Sequence, residues 1–71
     1  MKTETLYDLA VGNKAEIVDF FDENVRELSE KFGLFRGKII KCVAKNGPIV
    51  IENRFQKMAL GKSLASKIYI H

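Results

Sequence analysis

The apolar and polar positions of the chain follow two different periods, with the change falling near residue 33. In KAEIVDF, Ala15 and Ile17 alternate with Glu16 and Val18 ahead of the rings at 20 and 21, which predicts a strand at about 14–20. DENVRELSEKFG then switches to a helical period. Val25, Leu28 and Phe32 fall at i, i+3 and i+7 and predict one apolar stripe. Asn24 with Glu27 three residues later reads as an N-cap and capping box, and Glu27 stands four residues before Lys31 in the favourable order for an ion pair. Gly33 suits the left-handed stop of a helix, with Leu34 folding back on Leu28.

Beyond Gly37 the period becomes two. KIIKCVA is β-branched, with Ile40, Cys42 and Ala44 on one face and Ile39, Lys41 and Val43 on the other. Asn46-Gly47 followed by Pro48 marks a turn, and IVIEN is the next strand. NRF reads as a tight turn in which Asn53 takes the positive φ. FQKMALG, a single helical turn at SLAS and a closing strand at KIYI complete the pattern, and TLYDLAVG at the start reads as a lead-in turn. Short strands separated by turns about every ten residues predict a small closed or nearly closed barrel.

Size limits what such a barrel can do. The 71 residues make one domain, 1–71, with one modest core. Apolar burial at about 25 cal/mol per Å² nearly cancels an ordering cost of about 1.5 kcal/mol per residue. Most large apolar side chains are therefore committed to packing, and none are spare for a deep cleft. The single cysteine, Cys42, allows no internal disulfide. Glu4 and Asp8 interrupt any signal-like run at the start, and no stretch approaches the roughly 20 apolar residues of a membrane span. A cytoplasmic protein is expected.

Charge is divided along the chain. Residues 1–30 carry eight acids and three bases, net −5, whereas residues 31–71 carry one acid, Glu52, and nine bases, net +8. A basic sheet could meet nucleic acid, anionic lipid or an acidic protein face. Folding could equally interleave the two halves into a mixed surface. Lys38, Lys41, Lys45, Arg54 and Lys57 are spread singly with Phe35 and Phe55 nearby, which fits a solvated face better than a nucleic-acid groove.

No catalytic set can be assembled, and the chain is read as not an enzyme. His71 is the only histidine and is expected to fray; Cys42 lies on an apolar strand face with no base to activate it. One cysteine and one histidine cannot make a zinc site. Asp19, Asp22 and Glu23 could loosely attract a divalent cation, but acids collect at helix N-termini in any case. Gly61-Lys62-Ser63 lacks the glycine that a phosphate-binding loop needs at position 56, which is Gln. No cofactor and no metal ligand is assigned.

FGLFRGKIIKC, GPIVIEN and MALGKSLASKIYI, taken in order, resemble the FeoA family, small partners of the ferrous-iron permease FeoB. The resemblance rests on Gly33-Leu34 with Gly37, Ile40 and Cys42, Gly47-Pro48, Ala59-Leu60, and Ala65 with Ile68, and it covers about residues 5–70. The chain departs from the family pattern at Arg36, where proline is frequent, and at Asn53-Arg54, where glycine is frequent. The resemblance implies a mainly β (small α+β) fold, an SH3-like β-barrel of about five strands with one helix inserted after the first strand. It implies an accessory role in ferrous iron uptake, by binding the cytosolic GTP-binding part of FeoB. It also implies that the hinge from helix to strand stands at a barrel rim, with Phe32 in the core. The expected structural positions are Gly33, Leu34, Gly37, Gly47 and Pro48. The expected partner-facing residues are Phe35, Arg36, Arg54 and Phe55, the alternative for Phe35 being a buried cap on the barrel end. A small basic barrel binding nucleic acid is the second reading and an Fe²⁺ carrier the third. Homo-oligomerisation is left open.

Overall fold

The structure is a computed structural model and describes residues 4–54 and 56–71. Six antiparallel strands and two helices follow in the order β1 (Glu4–Thr5), β2 (Lys14–Phe20), α1 (Glu23–Lys31), β3 (Ile39–Lys45), β4 (Ile49–Asn53), β5 (Gln56–Leu60), α2 (Lys62–Ala65) and β6 (Ile68–Ile70). The lead-in is a single 3-10 turn at Leu6–Asp8, preceded by the two-residue β1, which the sequence pattern does not announce.

The strands are ordered β1-β6-β2-β3-β4-β5, so β2 pairs with both β3 and β6 and joins the early and late parts of the chain. Register shifts between Ile17 and Asp19 on β2 and between Cys42 and Ala44 on β3 mark bulges. Bulges bend and twist their strands, which is what curls so short a sheet around its own side chains. Leu6, Ile17, Ile40, Cys42, Ile49, Ile51 and Ile68 fill the interior. His71 is not frayed, because its backbone N–H and C=O both bond Glu16 on β2, at 2.9 and 3.1 Å.

Helix α1 departs from the sequence reading at its start and on its face. Asp22, not Asn24, is the N-cap, with extended φ −152° and a carboxylate that accepts from the Val25 N–H at 2.8 Å. The side chains facing the sheet are Val25 and Ser29, four residues apart, while Leu28 and Phe32 are 42% and 45% exposed. Leu28 lies about 100° around the helix from Ser29, and Phe32 is already the C-cap, so neither sits on the packed line. The ion pairs are Arg26 with Glu23 and Glu30 rather than Glu27 with Lys31.

The helix ends in a full Schellman arrangement. The Leu34 N–H bonds the Ser29 carbonyl and the Gly33 N–H bonds the Glu30 carbonyl, each at 3.0 Å, with Gly33 at φ +80°. Leu34 is completely buried. A second reversal follows at once. The Lys38 N–H bonds the Phe35 carbonyl at 3.0 Å with Gly37 at φ +92°, the pattern of a type II turn with Arg36 at its second position. Gly37 and Lys38 are then laced to Ile17 of β2 through bonds of 2.6 and 2.9 Å.

Candidate functional site

The double turn at 33–38 and the β4–β5 hairpin meet at one mouth of the barrel. Between them lies a cleft of about 250 Å³ lined by Gly33, Phe35, Lys38, Asn53, Arg54 and Gln56. Each wall has a sequence cause. Because Leu34 is drawn into the core, its neighbour Phe35 is turned outward and is 48% exposed. On the other wall Asn53 is in phase with Ile49 and Ile51 along β4, so it points inward and is 7% exposed. Its Nδ2 donates to the Gly33 carbonyl at 3.5 Å, while Oδ1 has no partner among the described residues.

The hairpin corrects the expected backbone. Asn53 pairs with Gln56 across the ladder, leaving a two-residue loop, and the positive φ falls on Arg54 at +55°. Two-residue hairpins favour this conformation because it matches strand twist, yet a side chain there carries a steric cost that glycine avoids.

Of the expected partner-facing residues, the structure brings Phe35 and Arg54 onto one cleft. The buried-cap alternative for Phe35 is excluded by its exposure. Arg36 turns away, donating to Asp19 Oδ1 at 2.9 Å. Phe55 lies outside the described residues. Lys38, Gln56 and Asn53 complete the cleft. The alternation of Ile49, Ile51 and Asn53 was the signal that could have marked Asn53 as inward-facing.

The three acids at the start of the helix, Asp19, Asp22 and Glu23, are each engaged. Asp22 caps α1. Asp19 is held below the usual carboxylate range, chiefly by the Phe20 N–H and then by Arg36, and Glu23 is lowered by its pairing with Arg26. Among the described residues no group of three His, Cys, Asp or Glu comes together as a metal site. Cys42 is fully buried, its thiol directed at the Ala44 carbonyl at 3.6 Å.

Lys45 and Lys62 sit over the Tyr7 ring at 5.1 and 5.6 Å, and Lys67 over Phe21 at 5.8 Å. A second groove, lined by Lys14, Ile39, Ile40, Lys41, Glu52 and Arg54, adjoins the first through Arg54. Among the described residues no helix is long and apolar enough to cross a membrane.

Comparison with known proteins agrees with this architecture. A crystal structure of an iron uptake regulatory protein (FeoA) is 26% identical, covers 100% of this chain and 97% of its own, and superimposes with a TM-score of 0.89. An NMR structure of a FeoA-like protein from Clostridium acetobutylicum is 25% identical, with coverage of 100% and 87% and a TM-score of 0.88. The zinc complex of Stenotrophomonas maltophilia FeoA, described as a procaryotic SH3 domain protein, is 21% identical over 96% of this chain and 89% of its own, with a TM-score of 0.84, and shares the fold. The same fold occupies 35% of the chain of ScaR with bound Cd²⁺, at 20% identity over 99% of this chain and a TM-score of 0.85. No curated protein matches. The sequence profile of the FeoA domain matches residues 4–71, and the chain belongs to the FeoA domain family.

Proposed function

We propose that this protein is an accessory factor of ferrous iron uptake that works by docking on the cytosolic GTP-binding part of a FeoB-type permease. Family membership supports the iron-uptake role, as does the description of S. maltophilia FeoA as a candidate ferrous iron transport activating factor. The observation that carries the docking reading is the half-exposed Phe35 at the barrel mouth, beside Arg54. Aromatic and arginine side chains are the types that protein interfaces enrich, and a barrel filled with its own apolar residues acts through its outside.

The test is binding of the full chain to the cytosolic GTP-binding domain of FeoB, with Phe35→Ser as the variant and circular dichroism as the check on folding. The expected result is at least about a tenfold loss of affinity, or ~1.4 kcal/mol. Unchanged affinity in a folded variant removes Phe35 from the docking surface. Absence of binding by the unmodified chain removes the partner. Nucleic-acid binding, the competing reading, would weaken steeply with salt irrespective of sequence.

A further inference from the structure

We infer that the outer edge of β5 is a strand-pairing surface whose occupant is β5 of a second copy of this chain, running antiparallel about a two-fold axis at Met58. Nothing in this depends on the docking reading above.

β5 is the last strand in the order β1-β6-β2-β3-β4-β5, and among the described residues it pairs only with β4. The phase of that pairing decides which backbone groups are left over. Asn53 and Gln56 flank a two-residue loop and so form a hydrogen-bonded pair. Bonded and non-bonded pairs alternate along an antiparallel ladder, so Met58 and Leu60 bond Ile51 and Ile49. Lys57 and Ala59 therefore turn their N–H and C=O groups to the free side. Both residues are exposed, and among the described residues no backbone bond outside the β4 ladder reaches 56–60.

Free edges are ordinarily blunted by shortness, bulges, proline or charge. The opposite edge, β1, is only two residues long. β5 runs for five residues with no register shift against β4 and no proline, and Lys57 is its one charged side chain.

That lysine selects the register. An antiparallel copy bonds outward only through Lys57 and Ala59. Setting Lys57 opposite its own copy puts like charges face to face, which is destabilising. Setting Ala59 opposite its own copy leaves two bonds within the strands. Setting Lys57 opposite Ala59 occurs twice by symmetry and forms four bonds. The small, exposed Ala59 then leaves room for the lysine stem. Met58 meets its own copy at the axis in a non-hydrogen-bonded pair, where side chains come closest. It is half-buried and packs on the core, so the pairing covers the apolar surface it still shows. Methionine on the axis and lysine over alanine make the edge complementary to itself. The contact is small and suits a weak, concentration-dependent dimer.

The test is sedimentation of the full chain from about 10 µM to about 1 mM, the range of weak association. The expected result is a reversible monomer–dimer equilibrium, with concentration-dependent amide shifts centred on Lys57, Met58 and Ala59. Ala59→Pro removes an outward N–H and spares the β4 ladder, and it is expected to weaken dimerisation at least about tenfold. Should circular dichroism show that variant unfolded, Met58→Lys keeps every backbone N–H, sets like charges at the axis and is expected to weaken the dimer as much. Met58→Cys is expected to cross-link to its copy under an added mild oxidant, because Cα atoms about 4.5 Å apart in such a pair lie within disulfide range. A chain that stays monomeric throughout overturns the inference. So does a dimer that the folded variants leave unchanged, or one whose shifts lie away from β5. Shifts of the Lys57 and Ala59 amides in a monomeric chain on adding the FeoB domain give the edge to that partner and rule out the second copy. Sedimentation needs no FeoB, so the two proposals fail separately.

Discussion

The Arg36 guanidinium donates to Asp19 Oδ1 at 2.9 Å, tying the double turn to the far end of β2 across 17 residues of sequence. A position where proline would have stiffened the turn is instead held by an ion pair. Both side chains are more than 60% exposed, so the tether is screened and contributes little to stability.

Its pH dependence has a definite sign. The Asp19 carboxyl is depressed in the folded chain below its ordinary 3.8, first by the Phe20 N–H and then by Arg36. A depressed carboxyl stabilises the fold fully above its unfolded value, and that contribution drains away as pH falls through the folded value. We expect urea midpoints to decline below about pH 4, with Asp19→Asn flattening part of the decline and Arg36→Ala flattening less. Superimposable profiles for Asp19→Asn and the unmodified chain would refute this.

Leu34 and Phe35 are neighbours with opposite fates. Leu34→Ala empties a fully buried position and should cost about 2–5 kcal/mol, enough to unfold much of a domain this small. Phe35→Ala should stay within about 0.5 kcal/mol in the same denaturation assay. Equal losses would place Phe35 in the core.

Gly33→Ala isolates backbone strain. The added Cβ meets nothing nearer than Asn53 Nδ2 at 4.0 Å, so the penalty is conformational. We expect a loss of about 1–2 kcal/mol and a melting temperature lower by about 4–8 °C per kcal/mol. Gly33→Asn should lose less, since asparagine tolerates the left-handed region. An alanine variant as stable as the parent would contradict the observed helix ending.

Cys42 should react with a thiol reagent only when the chain opens, because its side chain is sealed inside the sheet. Reaction rates that follow the unfolded fraction across a urea series are expected. Fast, stoichiometric labelling in native buffer would show that β3 is not packed as described.

Much of this was readable from the residues, and the failures have physical causes. β2 and β4 coincide with 14–20 and IVIEN because alternation over a half-buried sheet is a strong periodic signal. The helix start was misplaced because Asp22 and Asn24 are both good caps. What decides between them is where β2 releases the chain, a tertiary matter. Phe32, which the resemblance puts in the core and the helical period puts on the apolar stripe, is exposed because it is the C-cap, where the backbone has already left the helix. Of the expected partner-facing set, Phe35 and Arg54 converge, but their meeting across about twenty residues depends on the pairing of β3 with β4, which no local pattern encodes. Arg36 is drawn away by Asp19, a pairing between residues 17 apart that no local pattern announces.

The amide of Asn53 donates to the carbonyl of Gly33 at 3.5 Å, a long contact that links the two walls of the mouth. Anything that wedges those walls apart stretches this bond first and loses little by doing so. Through this amide the end of α1 is coupled only weakly to the end of β4. Severing it with Asn53→Ala would leave the β4–β5 ladder to hold the hairpin and let the helix ending rest on its own Schellman bonds.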